Sequence, residues 1–493
     1  MTLTAEHNLQ LLLIDGSWQH AADGRTYTTH DPFTGEFASQ AAAATPEDAV
    51  LAVDAAERAF PAWAALPPGE RRRILWTAAE RIEARSDEIC QAITAEMGGP
   101  VGWGRYNTTV LAENFRYAAG AAHEALTGEI IPSETPGRTS IAIRKPAGVV
   151  ACLVPWNAPA LLVGNSVPNA LAMGNTVVMK ASEQTPRTHG LVAECLTEAG
   201  PPDGVYNLVT SAPEDAPAVV DALIAHPAVQ RIHFTGSTRV GRIIAQKAAA
   251  HLKRVILELG GKAPLLVLAD ADLDQAVSTA AFGSFANSGQ GCISTERIIA
   301  DRTIAAEFTR RLATLATTLT YGDGRDPHTM LGPLVGPDSI RRLSDLVQEA
   351  VADGARLLTG GTADGPCFAP TVLADVTANM RAWREESFGP IAGVAVADGP
   401  EEALRMANDS DYGLSAAIFT RNIPLALDLA KRIDVGMCHI NGTTLDDEPQ
   451  MPFGGVKGSG YGKSGGRAGL QEFTELQWVT IEGSQPPRYP IAE

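Results

Sequence analysis

The strongest constraint on this chain is its alternation of short β-rich runs with helical stretches. The runs Gly148 to Val154, Thr176 to Met179, Val205 to Val209, Arg231 to Phe234, Val255 to Leu257 and Leu265 to Leu268 are short and β-rich. Between them lie stretches such as Thr188 to Glu198 and Ser237 to Leu252. The second carries Val240, Ile243, Ile244 and Ala248 at helical spacing. Strands that alternate with helices build βαβ units and a parallel sheet. After Asp270 a second series begins, with helices expected near 272–285, 305–319 and 338–353 and strands near 371–373, 391–396 and 416–420. The expectation is two doubly wound α/β domains in series.

Two segments fit neither series. Thr127 to Lys145 reads as an extended arm, and Glu475 to Glu482 as a lone late strand. A late strand without a hairpin neighbour must pair elsewhere, and a second subunit is one place for it.

Net charge is −18, from 57 acidic and 39 basic residues in 493. Such a surface disfavours nucleic acid and anionic membranes as partners. The six cysteines form no CxxC or CxH pair, so neither a metal site nor a disulfide framework is expected, and a reducing, cytoplasmic setting fits. Met1 to Asn8 carries no secretory pattern. Pro146 to Met179 lacks any charge, but three prolines and four asparagines interrupt it, which suits a buried crossover rather than a membrane span.

Chemistry-bearing residues stand out at a few points. Cys292 is framed by Gly289 and Gly291, which free the backbone to turn tightly and expose a small thiol. A buried, inert cysteine is the competing reading. Glu258 ends an apolar strand and precedes two glycines. A carboxylate so placed is a candidate base; a glutamate facing water or paired with Lys262 is the alternative. Asn157, between Pro155 and Pro159, offers an uncharged donor for an oxyanion, or simply caps a turn. The turn Phe234 to Gly241 follows a strand and opens a helix, which suits a phosphate. Lys180 and Glu183 lie just past a strand, where a ribose would sit, or form a solvated pair. Gly458 to Ser464 looks like a P-loop but fails, because Lys457 stands where the first glycine is required.

Assembled, these residues resemble the aldehyde dehydrogenase superfamily over nearly the whole chain. Its motifs run in order: PWNAP at 155–159, MKASEQTP at 179–186, FTGSTRVG at 234–241, ELGGK at 258–262, GQGC at 289–292, EESFGP at 385–390 and PFGG at 452–455. The runs Cys438 to Gly442, Gln450 to Gly462, Phe473 to Ile481 and Arg488 to Ile491 resemble the aromatic-aldehyde branch, which includes the vanillin, salicylaldehyde and benzaldehyde dehydrogenases.

The resemblance implies a Rossmann-like cofactor domain (1–126 and 147–258), a catalytic domain (259–446) and a small β oligomerisation arm (127–146 and 474–486). It implies Cys292 as nucleophile, Glu258 as the base for hydrolysis and Asn157 as oxyanion donor. It implies cofactor contacts from Pro155, Trp156, Lys180, Ser182, Glu183, Phe234, Gly236, Ser237, Val240, Leu259, Glu386 and Phe388. The cofactor would be NAD, with NADP possible, since a carboxylate at 183 repels a 2′-phosphate. The partners implied are an aldehyde substrate and further copies of the chain, as a homodimer or homotetramer. Three positions depart from the family pattern. Ala158 replaces a bulky aromatic, Thr210 to Pro213 lacks the usual glycine, and Arg239 stands where an acidic or apolar residue is usual. Trp103, Tyr106 and 443–449 are candidates for the substrate tunnel. Two other readings stay open: a CoA-acylating enzyme, which Glu258 argues against, and a non-catalytic binding protein, which the Cys292, Glu258 and Asn157 set argues against.

Overall fold

A computed structural model describes residues 9–483. Met1 to Asn8, residues 484–486 of the expected arm and Arg488 to Ile491 lie outside the described residues.

Two sheets organise the chain. The first runs Arg254–Glu258, Val229–Thr235, Val149–Leu153, Thr176–Lys180, Tyr206–Val209, with these five strands parallel. Gly460–Tyr461 pairs antiparallel on the outside of Arg254–Glu258, and Leu12–Ile14 on the outside of Tyr206–Val209, followed by Ser17–Gln19. Three of the central strands, VVACL, TVVMK and YNLV, are buried at every position. Helices cover both faces, so these strands read as continuous apolar runs rather than alternating ones. Among the parallel strands the chain begins with Val149–Leu153, winds outward one way, then returns to lay Val229–Thr235 on the other side. The reversal between these two strands is the switch point, where a doubly wound sheet opens a crevice beyond its carboxyl ends.

The second sheet runs Arg356–Thr359, Thr371–Ala374, Ile391–Ala397, Thr295–Asp301, Ala263–Val267, Ser415–Phe419, Met437–Ile440. Its strands are parallel except Arg356–Thr359. The uncharged stretch 146–179 folds as strand, two short helices (Pro159–Gly164 and Val167–Ala172) and strand. Among the described residues no helix is long and apolar enough to cross a membrane.

Four helices that periodicity alone does not isolate, Pro46–Ala65, Pro68–Ala84, Ser86–Met97 and Val101–Ala125, precede the arm. The first starts on a capping box, with the Thr45 hydroxyl accepting from the Asp48 N–H and the Asp48 carboxylate accepting from the Thr45 N–H. Buried Ile74, Leu75, Ile82, Ile89, Ile93 and Phe115 join one core with Leu161 to Val163 and Leu171.

The late strand finds its neighbour inside the same chain. Thr474–Ile481 pairs antiparallel with Thr139–Pro146 along its full length, and Glu129–Ile131 adds a third strand. A partner subunit is therefore not needed to pair it: the arm leaves the body as an open strand at 139–146, and the chain's end returns to that edge. Apolar side chains stay exposed on both faces of this small sheet, Trp478 (72%) and Leu476 (60%) on one and Ile130 (78%) on the other.

Candidate active site

The switch-point crevice collects residues from both sheets. A cleft of about 230 Å³ is lined by Pro155, Trp156 and Asn157, which follow the strand Val149–Leu153. Thr235, Gly236 and Ser237 follow Val229–Thr235, and Glu258, Leu259 and Gly260 follow Arg254–Glu258. Cys292, Glu386 and Phe388 enter from the second unit. The edge of the Phe388 ring meets Trp156, centroids 5.7 Å apart.

Cys292 sits in a loop between the helix Leu273–Phe285 and the strand Thr295–Asp301. Asn287, Ser288 and Gly289 all have positive φ. A Cβ at Gly289 would strike the Gly389 carbonyl, so only glycine lets the loop pass there. Cys292 is half-buried. Desolvation, then the carboxylates of Glu386 and Glu258, hold its thiol above the ordinary pKa, and its own backbone N–H opposes them.

The Asn157 amide Nδ2 donates to the Gln290 carbonyl at 3.1 Å. Its own backbone carbonyl accepts from Trp103 Nε1 at 3.0 Å and from Asn287 Nδ2 at 3.1 Å. The amide is thus built into the cysteine loop, not a free turn cap. Glu258 is buried, and desolvation pushes its carboxyl well above the ordinary range; the Ser464 hydroxyl and Lys463 oppose this, while Asp447 and Glu472 add to it. Lys262 does not pair with it. That lysine is buried against Glu296, whose carboxylate also accepts from the N–H groups of Ser387 and Phe388. The pair therefore fixes the loop that carries Glu386. Glu386 Oε1 accepts from the Gly261 N–H at 2.9 Å, and burial drives this carboxyl up to about 7.

Seven of the residues expected to hold a dinucleotide, Pro155, Trp156, Gly236, Ser237, Leu259, Glu386 and Phe388, meet in this cleft. Gly236 precedes Ser237, which caps the helix Thr238–Ala250 by accepting from the Val240 N–H. A Cβ on Gly236 would strike the Phe234 ring, and one on Gly241 would strike Leu259, so both glycines let backbone pack closely. Arg239 is exposed. Lys180 and Glu183 form an ion pair beyond the neighbouring strand, with Lys180 buried, so they are not a solvated pair. Ser182 stands between them and accepts from the Gln184 N–H. Lys180, Ser182, Glu183, Phe234 and Val240 do not line the central cleft itself.

A second, narrow cavity meets the other side of Cys292. Trp103, Tyr106, Ala158, Leu161, Leu162, Ile293, Leu445, Asp447 and Phe453 surround it. Sequence reasoning missed several of these, together with Gln290, Ser464 and His233. They come from scattered loops, and Ser464 stood out only within the failed P-loop run.

A thiol, a carboxyl and an amide meet at the switch-point crevice, with an apolar pocket beside the thiol, an arrangement that suits an NAD(P)-dependent dehydrogenase. Residues 18–479 match the Aldehyde dehydrogenase family, and the chain belongs to that family. It is 52% identical over 480 residues to a vanillin dehydrogenase of Pseudomonas fluorescens, covering 97% of this chain and 99% of the relative. It is 44% identical to a salicylaldehyde dehydrogenase of Pseudomonas putida, again over 97% and 99%. The crystal structure of a salicylaldehyde dehydrogenase from Pseudomonas putida G7 complexed with salicylaldehyde superposes with a TM-score of 0.95 at 43% identity, covering 98% of this chain and 100% of that one. The protein is an NAD(P)-dependent aldehyde dehydrogenase.

Proposed function

We propose that the enzyme oxidises aromatic aldehydes of the benzaldehyde, vanillin or salicylaldehyde type to carboxylic acids. The observation that carries this is the apolar cavity beside Cys292, where Trp103, Tyr106, Leu162 and Phe453 offer flat or branched walls. Ala158, also in that wall, leaves space that a bulky side chain would fill.

Cys292 attacks the carbonyl carbon and forms a thiohemiacetal. The Asn157 amide and the Cys292 N–H stabilise its oxyanion. Bound dinucleotide supplies the hydride acceptor, and a thioester remains on Cys292. Glu258 then takes a proton from the water that hydrolyses it. Lys180 and Glu183 hold the adenosine ribose, Gly236 and Ser237 the pyrophosphate, and Glu386 with Phe388 the second ribose. Pro155, Trp156, Ser182, Phe234, Val240 and Leu259 complete the cradle. The Glu183 carboxylate favours a free 2′-hydroxyl, so NAD is preferred over NADP. The working form is a cytoplasmic homodimer or homotetramer; the exposed apolar face of the arm supports the oligomer.

The test is steady-state kinetics on benzaldehyde, vanillin, salicylaldehyde and an aliphatic control, with each cofactor and with or without CoA. The aromatic aldehydes with NAD should give the highest kcat/KM and a free acid as product. A preference for the aliphatic control, or an acyl-CoA product, overturns the reading.

A further inference from the structure

Behind Glu258 lies a buried polar chain of three side chains. The Ser464 Oγ donates to Glu258 Oε1 at 3.0 Å, and the same Oγ lies 3.0 Å from His233 Nε2. All three side chains are at most 2% exposed. The serine backbone is itself pinned: its N–H donates to the Phe453 carbonyl, and its carbonyl accepts from Asn169 Nδ2 at 2.7 Å. His233 sits on the strand beside that of Glu258, and its ring stacks on Phe473 at 6.2 Å. Two buried atoms of this chain, His233 Nδ1 and Glu258 Oε2, have no hydrogen-bond partner among the described residues.

The two unpartnered atoms set the direction of the chain. A serine hydroxyl has one proton. With that proton given to Glu258, the oxygen must accept, and it accepts from an Nε2–H of His233. Nδ1 is then a bare lone pair. The reverse direction would put the histidine proton on Nδ1, a buried N–H with no acceptor, which costs more. Burial also pushes His233 down to about 4, so the ring is neutral and carries a single proton, the one on Nε2. The network therefore donates towards the glutamate, and a donor to a carboxylate favours its ionised form. Oε1 is occupied; Oε2, on a side chain that lines the cleft, is left to act.

We propose that Ser464, oriented by His233, is the positioning residue that holds Glu258 as a carboxylate with Oε2 turned to the hydrolytic water. In that step the water oxygen bonds to the acyl carbon and the C–S bond breaks. The water proton passes to Oε2, and Cys292 leaves as thiolate. The inference rests on the reading of Glu258 as the base. The charged groups that face Glu258 are Lys463, which favours the carboxylate, and Asp447 and Glu472, which oppose it.

Four variants test this: Ser464→Ala and His233→Leu remove the chain, while Ser464→Thr and His233→Gln keep a hydroxyl and an N–H donor. With benzaldehyde and NAD, the first two should keep the pre-steady-state NADH burst within about twofold of wild type. Their kcat at pH 7 should fall on the order of tenfold, and the rising limb of kcat against pH should move up by about one unit, the tenfold equivalent of one pKa unit. Intact-mass measurement should find the acyl adduct on Cys292 accumulating. The conservative pair, Ser464→Thr and His233→Gln, should each restore the wild-type profile. An unshifted pH profile in Ser464→Ala, or burst and turnover lost together at every pH, overturns the proposal. A wild-type enzyme with no burst on any aromatic aldehyde overturns the underlying reading instead, which separates the two failures.

Discussion

Asn157 donates its side-chain amide to the carbonyl of Gln290 at 3.1 Å, two residues before Cys292. One hydrogen bond thus ties the loop after a strand of the first sheet to the cysteine loop of the second unit. The amide that would meet a developing oxyanion is held in place before substrate arrives, and preorganised donors of this kind carry much of a transition state's stabilisation.

Asn157→Ala should lower kcat by about 10²–10³-fold, as expected for loss of one oxyanion donor. Because the amide also braces the loop, Asn157→Asp is the sharper comparison. It keeps the shape but presents an acceptor where a donor is needed. Kinetics in which Asn157→Asp retains more than about a tenth of wild-type kcat would count against the role.

Cys292→Ala should abolish oxidation, whereas Glu258→Gln should leave the NADH burst and slow turnover by about 10²–10⁴-fold, the usual contribution of a positioned base. Acylation precedes the step that needs this base. Stopped-flow traces distinguish the cases, and equal loss of burst and turnover in Glu258→Gln would assign the residue another task.

The raised pKa of Glu258 has a consequence for stability. A carboxyl that binds its proton more tightly in the folded state loses folding free energy as pH rises from the ordinary carboxylate range through the folded value. Asp447 and Glu386, both pushed to about 7 by burial, act with the same sign. Glu258→Gln removes one such cost. Its melting temperature should match wild type near pH 4 and exceed it at pH 8. A difference that does not change with pH would contradict the burial argument.

The arm offers a fourth test. Trp478 and Leu476 project from the strand Thr474–Ile481 and are 72% and 60% exposed. Trp478→Lys with Leu476→Lys should lower the mass found by light scattering, because two charges replace an apolar surface that a partner copy would cover. A wild-type chain that is already a monomer at micromolar concentration would remove the need for such a partner.

Periodicity and residue order made much of this legible. The strands at 149–153, 176–180, 206–209, 229–235 and 254–258 each lie within two residues of an apolar run in the sequence. A strand covered by helices on both faces reads as a near-continuous apolar run, as VVACL does. The glycines at 236 and 289 declared themselves for a similar reason, since each stands where a Cβ has no room. The four helices between 46 and 125 were harder to isolate. They are rich in alanine and charge, and their shared core with residues 161–171 appears only when they pack.

What the sequence by itself determined is the set of elements and the identity of the reactive side chains, because both follow from local pattern: period, capping, glycine and a few ordered motifs. What only the tertiary structure decided is who touches whom. Glu258 lies four residues from Lys262, yet Lys262 turns to Glu296, and Glu258 accepts from Ser464, 206 residues away. The late strand found its edge 330 residues back in the chain, where the Arg144 side chain also reaches the Thr474 hydroxyl. Such contacts depend on which buried polar groups must satisfy one another once water is excluded, and that demand is set by the packed fold rather than by neighbours along the chain.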